Sequence, residues 1–291
     1  MPLTEVVEYF NQHLPEFHPH ARLSSGAQFE CRDGRVGARV AGCQLRPQQA
    51  LVLVRATGEV FGWSGKVAAE SATGQRVLPE TLYVQAWDSE DVIFLDRFLR
   101  TLHALHHLSL GDDRDGLLAL DVHLRHVAAL PERHGQVFET LLHRLGLAPC
   151  QIVLRLPGAA LQRDPHVRAA ALSFARRGYG LLAARPPIAD TDWALLRALG
   201  VQWVTPAAVA WQGADYAVVL GHWAQQAQDQ GIGLWLDGIG SPAAVARAAD
   251  LGADLIEGDL IDGDLIEGES WEPAARRTSA IRSGQRWAET P

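Results

Sequence analysis

The chain has 291 residues, of which 47% are hydrophobic and 21% are charged, a size and composition that suit one large α/β barrel and exclude wholesale disorder. Its formal net charge is −8 and no basic stripe stands out, so nucleic acid is not an expected partner. There is no apolar run near the ~18 residues of a transmembrane helix and no signal-peptide layout, so we expect a cytoplasmic protein that does not enter the membrane.

Residues 1–45 are predicted to form an N-terminal extension. Residues 4–14 are typical of a short helix with one apolar face and with Thr4 as its N-cap. Further along, Asp33-Gly34 indicates the turn of a β-hairpin. The sequence leaves two roles open for this extension, which could cap the following domain or mediate assembly.

From about residue 50 onward, strand and helix signals alternate. Residues 51–54 and 59–62 are strand candidates on either side of a turn, and residues 91–108 carry apolar side chains at helical spacing. A long series of such units favours a closed parallel barrel, whose functional residues lie at the C-terminal ends of the strands. The later strands are predicted at 117–122, 151–156, 180–184, 201–204, 232–236 and 253–256, and the helices between them at 135–146, 165–177, 190–199, 214–230 and 241–251.

Three tandem copies of the pentapeptide Asp-Leu-Ile-Glu/Asp-Gly begin at Asp254, Asp259 and Asp264. Their spacing does not match a helix-loop-helix calcium site. We therefore expect a last barrel strand followed by a duplicated acidic turn, with a weak cation site as the alternative. A short helix and tail are predicted for the C-terminus, so the chain divides into an extension (1–45), a barrel (46–270) and a tail (271–291).

The ends of the predicted strands, read in order between about residues 48 and 262, resemble the EAL-domain family of cyclic di-GMP phosphodiesterases. Residues 57–63 (TGEVFGW) are similar to the turn and strand that lead into the family's Glu-Ala-Leu signature, and Ser64-Gly65-Lys66 stands in place of that signature. The resemblance implies an EAL-type (β/α)8 TIM-like barrel with a small N-terminal extension.

The family's functional positions carry other residue types in this chain. The resemblance places Ser64 and Arg155 at metal-binding glutamates, and Asp121 at a metal-binding asparagine. Ala184 and Arg185 stand at the paired aspartates that end another strand. The remaining replacements are Ala68 for a phosphate-binding arginine, Gly158 for a second glutamate, Thr205 for the catalytic lysine, Asp237 and Gly240 for two further glutamates, and Glu257 for a glutamine.

These replacements predict that the chain does not hydrolyse a phosphodiester. The family's reaction uses two divalent ions to stabilise the attacking and leaving oxygens, and such ions need several oxygen ligands. Ser64 and Ala184 offer little to a metal. The guanidinium of Arg155 would repel one, since two unit charges ~4 Å apart repel by about 4 kcal/mol at an effective dielectric constant of ~20. We therefore predict no catalytic residue, no metal and no cofactor, and we do not expect an enzyme.

The charged residues at the strand ends allow two hypotheses. In such a barrel, Arg155 and Arg185 would point into one mouth with three carboxylates. These groups could form a self-satisfied network of ion pairs, or the two guanidinium groups could contact a phosphate or carboxylate without metal. The carboxylates are Asp121, Asp237 and Glu257, and further anion contacts could come from Gly238, Gly240 and Ser241 in the next turn.

The leading functional hypothesis is a catalytically inactive EAL-domain protein that acts as a regulatory or protein-interaction module in cyclic di-GMP-linked signalling of motility or biofilm. The sequence does not identify the expected protein partner, and it leaves a homodimer open. The alternatives are a metal-independent cyclic di-GMP receptor, residual phosphodiesterase activity, and a phosphate-binding barrel enzyme of another class. The last alternative depends on the glycine-rich turn at 237–242.

Histidines, tryptophans and cysteines in the sequence have simpler interpretations. His103, His106 and His107 share one helix face at a spacing that can hold zinc, but no further ligand completes the set, so we favour packing. The same interpretation is given to His123 and His126. Core packing is favoured over base stacking for Trp63, Trp203 and Trp235, and buried thiols are expected at Cys31, Cys43 and Cys150.

Overall fold

The protein is described by a computed structural model over residues 2–111, 116–130, 135–213 and 217–258. The first copy of the acidic pentapeptide lies within these ranges and supplies the last barrel strand, as predicted. The copies at Asp259 and Asp264 and the expected tail at 271–291 lie outside the described residues.

Strands and helices alternate along most of the described chain. The strands are β1 (Gln28–Arg32), β2 (Arg35–Val40), β3 (Cys43–Val54), β4 (Val60–Ser71), β5 (Arg76–Val77), β6 (Leu117–Asp121), β7 (Ile152–Pro157), β8 (Gly180–Ala184), β9 (Trp203–Thr205), β10 (Gly233–Leu236) and β11 (Leu255–Glu257). The helices are α1 (Leu3–Gln12), α2 (Ser89–Ser109), α3 (Leu124–Ala129), α4 (Gln136–Arg144), α5 (Gly158–Arg163), α6 (Pro165–Arg176), α7 (Trp193–Ala198), α8 (Ala208–Gln212), α9 (Ala217–Asp229) and α10 (Pro242–Asp250).

Eight strands close into a barrel in the order β3, β4, β6, β7, β8, β9, β10 and β11, because β3 pairs with both β4 and β11. The expected parallel arrangement is confirmed from β4 to β11, whereas β3 runs antiparallel to both neighbours. The reason lies in the link at 55–59, which is too short for the crossover of a dozen or more residues that parallel neighbours need. A short turn can join only antiparallel strands.

The β3–β4 hairpin is longer than the strands predicted at 51–54 and 59–62. Each strand has twelve residues, and the pairing extends to Cys43 opposite Ser71. The small side chains that fill much of β4 have weak strand preference, which is why the sequence pattern missed this extension. The expected domain boundary after residue 45 therefore falls inside one continuous strand.

The N-terminal extension packs on α2 and continues the hairpin sheet. The turn at Asp33-Gly34 is confirmed, with φ of 50° and 75° at the two residues, as a type I′ hairpin requires. The expected cap at Thr4 is wrong, because the amides of Glu5 and Val6 already bond to the Pro2 carbonyl and α1 begins at Leu3.

Two aromatic clusters lie within the mainly aliphatic core. Between the extension and α2, Phe29 stacks on Phe98 with ring centroids 4.3 Å apart. Inside the barrel, Trp203 and Trp235 meet Phe61 edge to face. Trp235 is only 1% exposed, so the core-packing interpretation is confirmed for this residue. Each such buried ring stabilises the fold by roughly 1.5–3 kcal/mol.

Side-chain caps account for where several predicted helices begin. Asp88 Oδ1 accepts from the Asp91 amide at 2.8 Å at the start of α2, and Ser241 Oγ accepts from Ala244 at 3.1 Å at the start of α10. The burial expected for the cysteines is confirmed for Cys43 and wrong for Cys150, which is exposed. Among the described helices, none combines the length and the apolar character that a bilayer span requires.

Candidate functional site at the barrel mouth

Arg155 lies at the centre of the barrel mouth. It sits on β7 directly beside Asp121 of β6, and its side chain is 8% exposed. Its Nη2 donates to Ser64 Oγ and, at 3.0 Å, to Glu257 Oε2. Its Nη1 lies 4.0 Å from Asp121 Oδ1, and the guanidinium carbon is 5.6 Å from the centroid of the Trp235 ring. The structure thus brings Ser64, Asp121, Arg155 and Glu257 together.

Glu257 is the acidic partner at this centre and is 2% exposed. Its Oε2 accepts from the indole Nε1 of Trp235 at 2.9 Å in addition to Arg155, and its Oε1 lies 2.8 Å from Lys66 Nζ. Burial raises the pKa of Glu257, but the positive charges of Arg155 and Lys66 outweigh burial and hold the pKa at about 2. The carboxylate is therefore ionised at neutral pH.

The charge of Arg155 is fixed by the same environment. Burial lowers the pKa of Arg155, and the attraction of Glu257, Asp121 and Asp237 outweighs burial, so the pKa stands above its ordinary value. A permanent positive charge therefore lies at the strand ends, inside the barrel and screened from water.

Lys66 is a site residue that the sequence analysis missed. It lies two residues after Ser64 on β4, and alternate residues of a strand share one face. Because Ser64 faces the mouth, the spacing alone could have indicated that Lys66 does too. Its side chain is 42% exposed while its Nζ reaches the buried Glu257.

The three carboxylates of the mouth all act on the charge of Arg155 but differ in exposure. Asp121 is 74% exposed, Glu257 is buried, and Asp237 is partly buried after the end of β10. Burial and the negative charge of Glu257 raise the pKa of Asp237, against the opposite effects of Lys66, Arg155 and Arg185. Glu257 is thus the innermost of the three carboxylates and Asp121 the most exposed.

Arg185 differs from Arg155 in its exposure and its backbone. Its side chain is exposed, its backbone has a positive φ of 52°, and its amide donates to the Thr205 carbonyl at 2.7 Å. The left-handed backbone turns the chain at the end of β8. The charge of Arg185 still acts on Asp237, as that of Arg155 does, and the expectation that both arginines point into one mouth stays a prediction for Arg185. Ala184 and Thr205, in contrast, are paired neighbours on β8 and β9.

Gly158 marks a tight contact at the rim of the barrel. It begins α5, and a Cβ at this position would lie 2.7 Å from Pro186 Cα. Pro186 is itself buried. A larger side chain at residue 158 therefore requires the loop after β8 to move.

Several polar groups of the turn before α10 form hydrogen bonds within the protein. The Gly238 carbonyl accepts from Gln212 Nε2 at 2.8 Å, and the Ile239 amide donates to the Glu257 carbonyl at 2.9 Å. Ser241 caps the helix, while Gly240 is exposed at the turn. Arg155 is bonded to Glu257, and the anion contact suggested for Arg155, Arg185, Gly238, Gly240 and Ser241 stays a prediction.

A second buried polar cluster lies between α2, the loop after β6 and α3, and the sequence analysis did not identify it. Asp96 pairs with Arg100 on α2, lies 3.5 Å from His126 Nδ1, and accepts from the His123 amide at 3.0 Å. Burial raises the pKa of Asp96, but Arg100 and His126 outweigh it and the net pKa is lowered. This cluster fixes the loop that follows Asp121.

The histidines on α2 have packing environments. A Cβ on Gly65 would lie 3.0 Å from the ring of His103, and burial lowers the pKa of His103 to about 4, so it is neutral at pH 7. His107 Nδ1 lies 3.2 Å from Gln49 Nε2. Across the described residues, no group of three or more His, Cys, Asp or Glu side chains is arranged to hold a metal ion.

The residues at the mouth do not fit the pair of divalent ions that the family resemblance implies. Ser64 and Glu257, which could offer oxygen atoms, are both hydrogen-bonded to Arg155. Ala184 and Gly158 have no ligand atoms in their side chains. A cation bound at the exposed carboxylate of Asp121 would lie close to the guanidinium of Arg155, whose Nη1 is 4.0 Å from Asp121 Oδ1, and would be repelled by it.

No protein-family model matches the sequence, and no curated protein matches it. Solved structures do match it in fold. The chain is similar to the PaMucR phosphodiesterase in complex with c-di-GMP, with a TM-score of 0.64 and 14% identity over 75% of this chain and 90% of that chain. It is similar to the FimX EAL domain from Pseudomonas aeruginosa bound to c-di-GMP, with a TM-score of 0.61 and 16% identity over 74% and 88% of the two chains.

A third similar structure is BlrP1 of Klebsiella pneumoniae in a complex with manganese and c-di-GMP. Its TM-score is 0.60 at 16% identity, with 81% of this chain covered but only 57% of that chain. At these identities the likeness shows the fold. The chain has the closed eight-stranded α/β barrel fold of these structures, which confirms the fold class that the sequence predicted.

Proposed function

We propose that this protein is a catalytically inactive EAL-type barrel that acts in the cytoplasm as a regulatory, protein-binding module of cyclic di-GMP-linked signalling. The observation that carries the proposal is the buried pair of Arg155 and Glu257. It lies at the strand ends, and Arg155 stands where the family resemblance places a metal-binding glutamate.

Electrostatics supports the absence of hydrolysis. Two unit charges ~4 Å apart at an effective dielectric constant of ~20 interact by about 4 kcal/mol, and a divalent ion doubles this repulsion from Arg155. Glu257 is the most buried carboxylate of the mouth, and it is already neutralised by Arg155 and Lys66. Metal-assisted attack of water on a phosphodiester therefore lacks a site for its metal ions.

Packing supports the same conclusion independently. Restoring a glutamate at Gly158 would drive its Cβ into the backbone of Pro186. Ala184 and Thr205 occupy the ends of β8 and β9 without a carboxylate or an amine. Both the packing and the charge of the mouth thus support the loss of hydrolytic activity.

The link to cyclic di-GMP signalling is proposed from the fold. The matched PaMucR, FimX and BlrP1 structures are complexes with c-di-GMP. A dinucleotide needs positive groups for its phosphates, and here the inner guanidinium of Arg155 is taken by Glu257. Ala68 stands where the resemblance places a phosphate-binding arginine. These features favour a protein partner over direct sensing of the dinucleotide.

The test is an assay of the full chain with c-di-GMP in magnesium or manganese, with product separation by chromatography. We expect no product, with the PaMucR phosphodiesterase as the positive control. We also expect none from Arg155→Ala, because Gly158 and Ala184 still supply no ligand. Turnover by the native chain would overturn the proposal, and turnover by the variant alone would show a functional site masked by Arg155.

A calorimetric titration with c-di-GMP tests the remaining alternative, a metal-independent receptor of the dinucleotide. We expect no binding in the micromolar range with or without magnesium. Micromolar binding without magnesium would replace a protein-binding module by a metal-independent receptor of the dinucleotide.

A further inference from the structure

The first copy of the acidic pentapeptide, residues 254–258, closes the barrel. Its strand β11 pairs in parallel with β10 and antiparallel with β3. The space between β3 and β10 is therefore the closing position of the barrel. If no strand filled it, β3 and β10 would each present a free edge of unpaired backbone groups.

The first three residues of this copy each have a definite role at the closing position. The Asp254 carboxylate accepts from the Leu234 amide at 2.7 Å. Leu255 is 3% exposed and packs in the cluster inside the barrel, whereas Ile256 is 5% exposed and packs in the core around it. The position thus takes an acceptor, then an inward apolar side chain, then an outward one.

The last two residues of the copy are equally constrained. Glu257 supplies the buried carboxylate that pairs with Arg155 and Lys66. Gly258 is buried, and a Cβ at this residue would overlap the carbonyl oxygen of Ile239. The closing position therefore selects the sequence Asp-Leu-Ile-Glu-Gly over its whole length.

The third copy of the pentapeptide has this same sequence. Residues 264–268 read Asp-Leu-Ile-Glu-Gly, as residues 254–258 do, whereas the second copy, residues 259–263, has Asp262 in place of the glutamate. None of the contacts just described distinguishes the third copy from the first. The second copy would bring a carboxylate that is one methylene too short and would leave a buried cation poorly paired.

The difference between the first and third copies lies in their connection to α10. That helix ends at Asp250, so the connector to the first copy is 251–253, and the connector to the third would be 251–263. The entropy of loop closure scales as (3/2)RT ln n, which disfavours the longer connector by roughly tenfold. Gly263 would also replace the buried Ala253, and the lost methyl group brings the ratio to about 10- to 100-fold.

Exchange of the two copies would move charge from one end of the barrel to the other. The chain enters β11 beside Arg55 of the β3–β4 turn, where the Asp254 carbonyl accepts from the Arg55 amide at 2.9 Å, and it leaves at the mouth after Glu257. The second and third copies, with four carboxylates, now follow the strand from the mouth. With the third copy in place, the first and second copies, also with four carboxylates, would precede the strand at the opposite end.

We propose that residues 264–268 exchange with residues 254–258 as the last strand of the barrel. The chain then has two closed arrangements, and the minor one carries four fewer carboxylates at the mouth end. Strands whose register is weakly specified are prone to slip, and a slip by two whole repeats returns every residue type to its own environment. A partner that responds to the charge of the mouth would distinguish the two arrangements. The proposal does not depend on whether c-di-GMP is bound or hydrolysed.

Cysteine pairs report which copy fills the closing position. Leu53 of β3 lies opposite Ile256, at a separation that a disulfide can span. In a chain whose three native cysteines are replaced by alanine, Leu53→Cys/Ile256→Cys should cross-link rapidly on oxidation. Leu53→Cys/Ile266→Cys should also cross-link, about 10- to 100-fold more slowly. Adding Gly258→Val, which blocks the first copy, should make this second pair fast.

The matched control is Ile261→Cys in the second copy, which is closer to Leu53 along the chain but is followed by Asp262. It should cross-link to Leu53→Cys more slowly than Ile266→Cys does. Asp262→Glu, which makes all three copies identical, should accelerate it. The exchange would be refuted if Ile266→Cys failed to cross-link even with Gly258→Val, or if the two copies reacted equally with and without Asp262→Glu. A disulfide between two chains would assign the third copy to a neighbouring molecule and would refute exchange within one chain.

Urea unfolding tests the same exchange without cross-links. Gly258→Val should lower the folding equilibrium constant by no more than about 100-fold, because the third copy takes the place of the first. Gly268→Val alone should have no effect, and the double variant should lose far more than the two single losses together. Equal losses in Gly258→Val and in the double variant would show that the third copy does not replace the first.

Discussion

The Nη2 atom of Arg155 lies 3.0 Å from Oε2 of Glu257, and the two side chains are 8% and 2% exposed. Arg155 comes from β7 and Glu257 from β11, so this ion pair spans the interior of the barrel. A buried pair adds little net stability compared with apolar residues of the same size, but removal of one partner is costly. This asymmetry gives the first prediction.

Arg155→Met should destabilise the fold by about 3–5 kcal/mol, because Glu257 is left buried with only Lys66 and Trp235 to compensate it. The free energy of unfolding in urea measures the effect. The double variant Arg155→Met/Glu257→Leu should recover most of the loss, since it leaves no unpaired charge in the interior.

The matched control for that series is Arg185→Met, which removes the same type of side chain from an exposed position. It should change stability by less than about 0.5 kcal/mol. If Arg155→Met were equally mild, the pair would have to be solvent-accessible, and the electrostatic argument against a metal site would lose its basis.

The pKa of Glu257 predicts how stability depends on pH. The folded pKa of about 2 lies below the ordinary value of 4.5, so on acidification the unfolded chain takes up the proton first. The stabilisation is therefore fully present above about pH 4.5 and declines as the pH falls towards 2. A depression of this size corresponds to about 3 kcal/mol.

Urea unfolding of the native chain and of Glu257→Gln across this range checks the prediction. Their difference in free energy of unfolding should be constant near neutral pH and shrink below about pH 4.5. A difference that persists unchanged to pH 3 would mean that the carboxylate is not stabilised by Arg155 and Lys66.

The regular part of the fold was predictable because its signals are local. Helix α6 at Pro165–Arg176 and strand β8 at Gly180–Ala184 lie almost where apolar periodicity placed them. The antiparallel β3 and the long arms of its hairpin depend on pairing between β3 and β4. Pairing of that kind is a tertiary property, and the small residues of β4 give no local indication of it.

The candidate site was predictable in position but not in contacts. The positions of Arg155 and Glu257 at strand ends follow from counting strands. Arg185 has a positive φ of 52°, an uncommon conformation for a non-glycine residue that the sequence does not indicate. Lys66 could have been included by alternation along β4, whereas the hydrogen bond from Trp235 to Glu257 depends on how far the barrel strands are staggered.

Asp237 gives a prediction of the opposite sign to Glu257. Burial and Glu257 raise its pKa, so its ionised form is unfavourable in the folded state at neutral pH. Asp237→Asn should increase the free energy of unfolding at pH 7 by up to about 1 kcal/mol. The gain should disappear as the pH falls below the ordinary aspartate value of 3.8, where the native side chain is protonated in both states.

The control for Asp237→Asn is Asp190→Asn, at an exposed position in the loop before α7. It should leave the free energy of unfolding unchanged at both pH values. A loss of stability in Asp237→Asn at pH 7 would show that Lys66 and Arg185 outweigh burial at this carboxylate.

Gly158→Ala tests whether packing as well as charge has closed the mouth. Alanine in place of glycine within a helix usually stabilises by about 1 kcal/mol, and residue 158 begins α5. Here the added Cβ would lie 2.7 Å from Pro186 Cα, so we expect a net loss of about 1–3 kcal/mol from overpacking.

Gly240→Ala is the matched control, since its Cβ would be 3.9 Å from the nearest atom and should be tolerated. If Gly158→Ala were as stable as Gly240→Ala in urea, the Pro186 loop would yield easily and a glutamate could return to residue 158. The case for inactivity would then lose its packing argument and depend on Arg155, Ala184 and Thr205.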